Sequence, residues 1–104
     1  MRSYKESNYN IFVDVDETLT FDDGLTFVED GIKFIKDKSD KVNFFIWSQQ
    51  GLDYVHKIVK SADIEDYIVG VLPKPDFIID DLKFNQFANE FYPDWKKLNK
   101  IIKG

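Results

Sequence analysis

The chain has 104 residues, 43% hydrophobic and 16% aromatic, which suits the core of one small domain. Its 19 acidic against 14 basic side chains leave a net charge of −5, which argues against a long basic surface for duplex DNA. Cysteine is absent, so disulfides, thiolate catalysis and zinc–thiolate sites are excluded, and no apolar run approaches the length of a membrane span. Met1 to Glu6 carry no apolar leader-like stretch, so a cytoplasmic location is expected.

Residues 11–15 read as a buried strand that runs into Asp14-Val15-Asp16-Glu17-Thr18. Strand alternation points Asp14 and Asp16 the same way at its exit. Two carboxylates held so close repel unless a proton or cation lies between them. The pattern suits a divalent metal, a carboxylate nucleophile, or an acid/base beside a nucleophile. Taken alone, it also fits a solvated acidic turn.

Residues 19–28 read as a small hairpin turning at Asp23-Gly24, where Asp22 and Asp23 are turn formers. Val28, Ile32 and Ile35 follow helical spacing. Residues 42–47 form a second buried strand ending at Ser48. Gly51 opens a helix with Leu52, Val55, Val59 and Ala62 on one face. Residues 67–72 give a short third strand, Pro73-Lys74-Pro75 interrupts, and Phe77-Ile78-Ile79 reads as a fourth strand leading into Asp80-Asp81. Phe84, Phe87 and Phe91 line a following helix, and Trp95, Leu98 and Ile102 line the last one. His56 gets no catalytic role, and Trp47 and Trp95 read as core.

Strands alternating with helices imply a parallel sheet, with ligands gathering at the carboxyl ends of its strands. The expected fold is a single α/β domain over residues 1–104. It is Rossmann-like and three-layered, with a mostly parallel sheet, a small hairpin flap and no cap domain. Asp14/Asp16, Ser48 and Asp80/Asp81 end three of its strands and Lys74 precedes the last, so all converge on one sheet edge. Asp14, Asp16, Asp80 and Asp81 make an oxygen-rich pocket for Mg²⁺, and Ser48 and Lys74 suit phosphate oxygens. Asp14 would attack phosphorus in line, and Asp16 would protonate the leaving oxygen and then deprotonate water. Thr18, Ser48 and Gln49 complete the expected site as substrate-binding residues. Alone, Ser48 reads as a helix cap, Lys74 equally as a turn lysine, and Asp81 as a cap or a supporting residue.

Over roughly residues 11–82 this pattern resembles the haloacid dehalogenase superfamily of phosphohydrolases. The matching elements are Asp14, Asp16 and Thr18 after the first strand, Ser48 closing the second, Lys74 before the fourth, and Asp80 and Asp81 ending it. The resemblance implies an aspartyl-phosphate on Asp14, with Asp16 as acid/base, Ser48 on the phosphoryl group and Lys74 steadying the intermediate. Mg²⁺ would be held by Asp14, the Asp16 carbonyl and Asp80. Two departures stand out. Glu17 lies where many members have Gly, and only five residues separate Lys74 from Asp80 where many members place a helix. Neither gap between motifs holds a cap, so the site should be open to a phosphate on a small molecule, a protein or a nucleic-acid end. Two other functions fit in part: a non-catalytic binder of metal or phosphate using the same residues, and a phospho-receiver domain, whose order of acid pair and Lys-Pro differs from that seen here.

Overall fold

The computed structural model describes residues 1–103. In chain order the elements are β1 (Tyr9–Asp14), β2 (Thr20–Phe21), β3 (Thr26–Phe27), α1 (Glu29–Lys38), β4 (Val42–Ser48), α2 (Leu52–Ser61), β5 (Gly70–Pro73), α3 (Phe84–Phe87) and α4 (Trp95–Ile101). β1, β4 and β5 form a parallel sheet in the order β1-β4-β5. β2 and β3 pair antiparallel around a short 3₁₀ turn at Asp22–Gly24, the expected hairpin.

Alternation divides the sheet into two unlike faces. Ile11 pairs with Phe44 and Val13 with Ile46, and these side chains face the helices. There they join Ile32, Phe34 and Ile35 of α1 and Val55, Ile58 and Val59 of α2 in one continuous core. Phe34 meets Phe44 edge-on with ring centroids 5.8 Å apart, and Trp95 of α4 lies 5.4 Å from Phe34. Each such side chain taken out of water contributes roughly 1.5–3 kcal/mol, so this face fixes the sheet. The other face carries Phe12, Phe45 and Trp47, none of which belongs to that core. At its amino end Asn43 is buried and pins the N-terminal segment. Its amide donates to the Lys5 carbonyl (2.7 Å) and to Asn10 Oδ1 (2.8 Å) and accepts the Lys5 N–H (3.0 Å).

Three expectations are corrected. The third strand begins later than its apolar run, because Glu65–Tyr67 form a 3₁₀ turn and pairing starts at Gly70. The fourth strand does not form. Phe77, Ile78 and Ile79 are 90%, 58% and 101% exposed, and among the described residues their main chain pairs with no strand. The connection is too short. From Pro73 to Phe77 the chain spans at most about 14 Å. A strand outside β1 would start about 14 Å to the side of β5 and a strand's length back toward the amino end. Parallel returns take a dozen or more residues. The helix expected over Phe84, Phe87 and Phe91 shrinks to the single turn α3. Its apolar side is exposed at all three Phe, and a short helix without packing does not propagate.

Gly31 sits where α1 crosses α4. A Cβ there would stand 2.7 Å from Trp95 Cζ2, 2.8 Å from Trp95 Cε2 and 3.0 Å from Leu19 Cδ2. Gly to Ala inside a helix ordinarily stabilises by up to about 1 kcal/mol. Here overpacking outweighs that gain. We expect Gly31→Ala to lower unfolding free energy by about 1–2 kcal/mol in urea titrations, with the sign opposite to helix propensity.

Candidate active site

Asp14 is the last residue of β1, paired in register with Trp47. Beyond it the chain folds tightly over the Val15 carbonyl, which accepts N–H bonds from Thr18 (3.2 Å), Leu19 (2.8 Å) and Thr20 (3.0 Å). Val15 and Leu19 are fully buried and anchor the loop to the core. The turn puts Glu17 at φ 62, the left-handed region that favours glycine. Glu17 is exposed at this turn.

Ser48 ends β4, one residue beyond the Asp14 level, and is buried. Its carbonyl accepts the Lys74 N–H at 3.2 Å, so the exits of β4 and β5 are tied together. Its hydroxyl accepts the Gln50 N–H (3.0 Å) and donates to Asp16 Oδ2 (3.4 Å). Gly51, at φ 96, then swings the chain into α2. Gln50 Nε2 donates to Asp16 Oδ2 at 2.8 Å, and the Tyr54 hydroxyl donates to Asp16 Oδ1 at 2.7 Å. Three side-chain donors from β4, the turn and α2 therefore hold one carboxylate. Asp14 is held more loosely, by Lys74 Nζ at 3.5 Å from Oδ1, with both side chains about a third exposed (30% and 35%). A half-solvated pair of this kind adds at most about 1 kcal/mol to stability, so its significance is positional.

The hairpin closes over the Asp16 side of the site. Gly24 at its tip packs on α2, where a Cβ would lie 2.7 Å from Ile58 Cδ1 and 3.2 Å from the Tyr54 hydroxyl. Burial pushes the Tyr54 phenol up to about 12, the hydrogen bond to Asp16 and the charges of Asp16 and Asp23 add to this, and a hydrogen bond with Thr20 opposes it.

Asp14, Asp16, Ser48 and Lys74 thus meet at the carboxyl ends of the three strands. Thr18 lines the same groove as Asp14 and Lys74. Gln49 is exposed, and it is its neighbour Gln50 that donates to Asp16. Asp80 and Asp81 are exposed in the segment that fails to become a strand, and the Asp80 carboxylate accepts the Leu82 N–H at 2.8 Å. Among the described residues no group of three or more carboxylate or imidazole side chains is gathered to hold a metal ion. Sequence reading missed Gln50 and Tyr54. Their only signal is place: two residues past the strand exit and in the first turn of the next helix.

Compared with known proteins, the chain matches no family model, no curated protein and no solved structure at significant similarity. Among the described residues no helix is long and apolar enough to cross a membrane.

The raised Tyr54 pKa gives a signed pH dependence. The protonated phenol is favoured by the fold, so its contribution is complete below pH 10, the ordinary tyrosine value, and is lost as pH rises through about 12. Tyrosinate absorbance should show one of the five tyrosines titrating near 12. Tyr54→Phe should remove that transition and flatten the fall in stability between pH 10 and 12. An unchanged titration curve in the variant would contradict the assignment.

Proposed function

We propose that this chain is a Mg²⁺-dependent phosphomonoester hydrolase working through an aspartyl-phosphate at Asp14. The observation that carries the reading is the meeting of Asp14 and Lys74, 60 residues apart in sequence, at 3.5 Å beside Ser48 and Asp16. A carboxylate nucleophile needs a cation nearby to offset the charge of the phosphate it attacks, and a half-open Asp14 with Lys74 next to it supplies both. The Asp14 carboxylate would attack phosphorus in line, and the bond to the ester oxygen would break. Asp16, positioned by Ser48, Gln50 and Tyr54, would enter this step protonated and give that oxygen its proton. It would then take a proton from the water that cleaves the acyl phosphate, returning Asp14 and releasing phosphate.

Mg²⁺ needs only one or two carboxylates when waters and phosphate oxygens fill its other positions. The Asp14 carboxylate and the Asp16 main-chain carbonyl suit that part, while the Asp16 carboxylate is taken up by its three donors. Bound there, the ion would screen the repulsion between carboxylate and phosphate. The same reading takes the domain as Rossmann-like, with α1 and α2 on one face of the sheet. Its site is open, and only the hairpin flanks it. One observation favours a second reading, a non-catalytic phosphate binder: among the described residues no third carboxylate gathers with Asp14 and Asp16.

Release of nitrophenolate from p-nitrophenyl phosphate separates the two. We expect Mg²⁺-dependent turnover by the parent chain, a loss of about 1,000-fold or more in Asp14→Asn, and about 100-fold in Lys74→Ala. Binding of inorganic phosphate without any turnover would favour the binder instead.

A further inference from the structure

The proposed site opens onto the sheet face that the helices leave uncovered. Phe12 lies two residues before Asp14 on the same strand face, about 7 Å along the strand. Trp47 is the registered partner of Asp14, and Phe45 is that of Phe12. The three rings form one cluster. Phe12 stands edge-on to Trp47 with centroids 5.0 Å apart at 87°, and tilted against Phe45 at 5.0 Å and 51°. None is sealed: Phe12 is 47% exposed, and Phe45 and Trp47 are half-buried. A groove of about 1290 Å³ runs over them, with Asp14, Thr18 and Lys74 at one end and Phe84 and Phe87 of α3 among its lining. Ligand sites at the carboxyl edge of a sheet combine such an apolar, aromatic lining with a few convergent polar groups.

The geometry points to a phosphate ester that carries a planar aromatic ring, with its phosphate at Asp14 and Lys74 and its ring against Phe12 and Trp47. This rests on the phosphohydrolase reading and adds the substrate class to it. An aryl phosphate and a nucleoside monophosphate share that chemistry. An aliphatic ester would leave the aromatic cluster without a partner. Stacking a ring on an exposed aromatic side chain is worth about 1–3 kcal/mol, which is roughly 5- to 150-fold in affinity. The net charge of −5 and the absence of a basic track along the groove favour a small ester over a long nucleic acid.

The test compares phenyl phosphate, a nucleoside monophosphate and glycerol phosphate, read in KM because aryl esters are intrinsically faster to cleave. We expect the aromatic esters to show KM values about 10-fold below that of glycerol phosphate, and Phe12→Ala to shrink that difference toward one. An advantage confined to phenyl phosphate assigns the aryl ester, and one confined to the nucleotide assigns the nucleotide. Equal KM values for all three, or a ratio unmoved by Phe12→Ala, overturns the inference and leaves the hydrolase reading standing. So does a self-associating chain whose dimer is abolished by Phe12→Ala, because a second copy would then cover the face. If no ester turns over, the hydrolase reading fails and binding decides the inference alone. Titrating the parent chain with a nucleoside monophosphate and with ribose phosphate should then give tighter binding of the former, with quenching of tryptophan emission that Trp47→Phe removes. Equal or absent binding overturns it.

Discussion

The site depends on the parallel register of three short strands. Asp14 pairs with Trp47, Ser48 with Pro73, and the Lys74 N–H closes the row on the Ser48 carbonyl. Because side chains alternate, a slip of one residue in β1 would turn Asp14 toward the helices and Val13 toward solvent. The core prevents that slip. Val13, Phe44 and Ile46 are buried against α1 and α2, so register and hydrophobic burial are a single constraint. Ser48 is aligned by Ile46 and Phe44, two and four positions behind it, and Asp14 by Val13 and Ile11, one and three positions behind it.

Within this frame the two aspartates are treated differently. Asp16 lies under the hairpin, held by Ser48, Gln50 and Tyr54, and its carboxylate has little freedom to turn. Asp14 faces the open groove with one long contact to Lys74. In the proposed mechanism, a group that must shuttle a proton at a fixed place benefits from the first setting, and a nucleophile that must meet an incoming phosphorus benefits from the second. The hairpin contributes through its tip, where Gly24 packs against Ile58 and the Tyr54 hydroxyl. The hairpin tip therefore touches Tyr54, one of the three residues that hold Asp16.

Local patterns made much of this legible in the sequence. Apolar runs gave β1 and β4, Asp23-Gly24 gave the hairpin, and helical spacing gave α1, α2 and the Trp95, Leu98, Ile102 face of α4. Coincident polar residues at strand exits gave Asp14, Asp16, Ser48 and Lys74. What failed depended on connection length and packing, which composition does not carry. Phe77-Ile78-Ile79 has the composition of a buried strand, yet three residues cannot return the chain for parallel pairing, and Asp80 and Asp81 follow that exposed segment rather than a strand. Phe84, Phe87 and Phe91 have helical spacing but stay exposed, so only one helical turn forms. Gln50 and Tyr54 were invisible because their role comes from the turn at Gly51, which aims both at Asp16.

Whether Asp14 is the nucleophile is decided most directly by trapping the intermediate. The chain would be incubated with Mg²⁺ and a small acyl phosphate donor, quenched in acid, and its peptides examined by mass spectrometry. A hydroxylamine-labile phosphoryl group on Asp14, absent from Asp14→Asn, is the expected result. A phosphoryl group on any other residue, or none on Asp14 while ester hydrolysis proceeds, would contradict the mechanism.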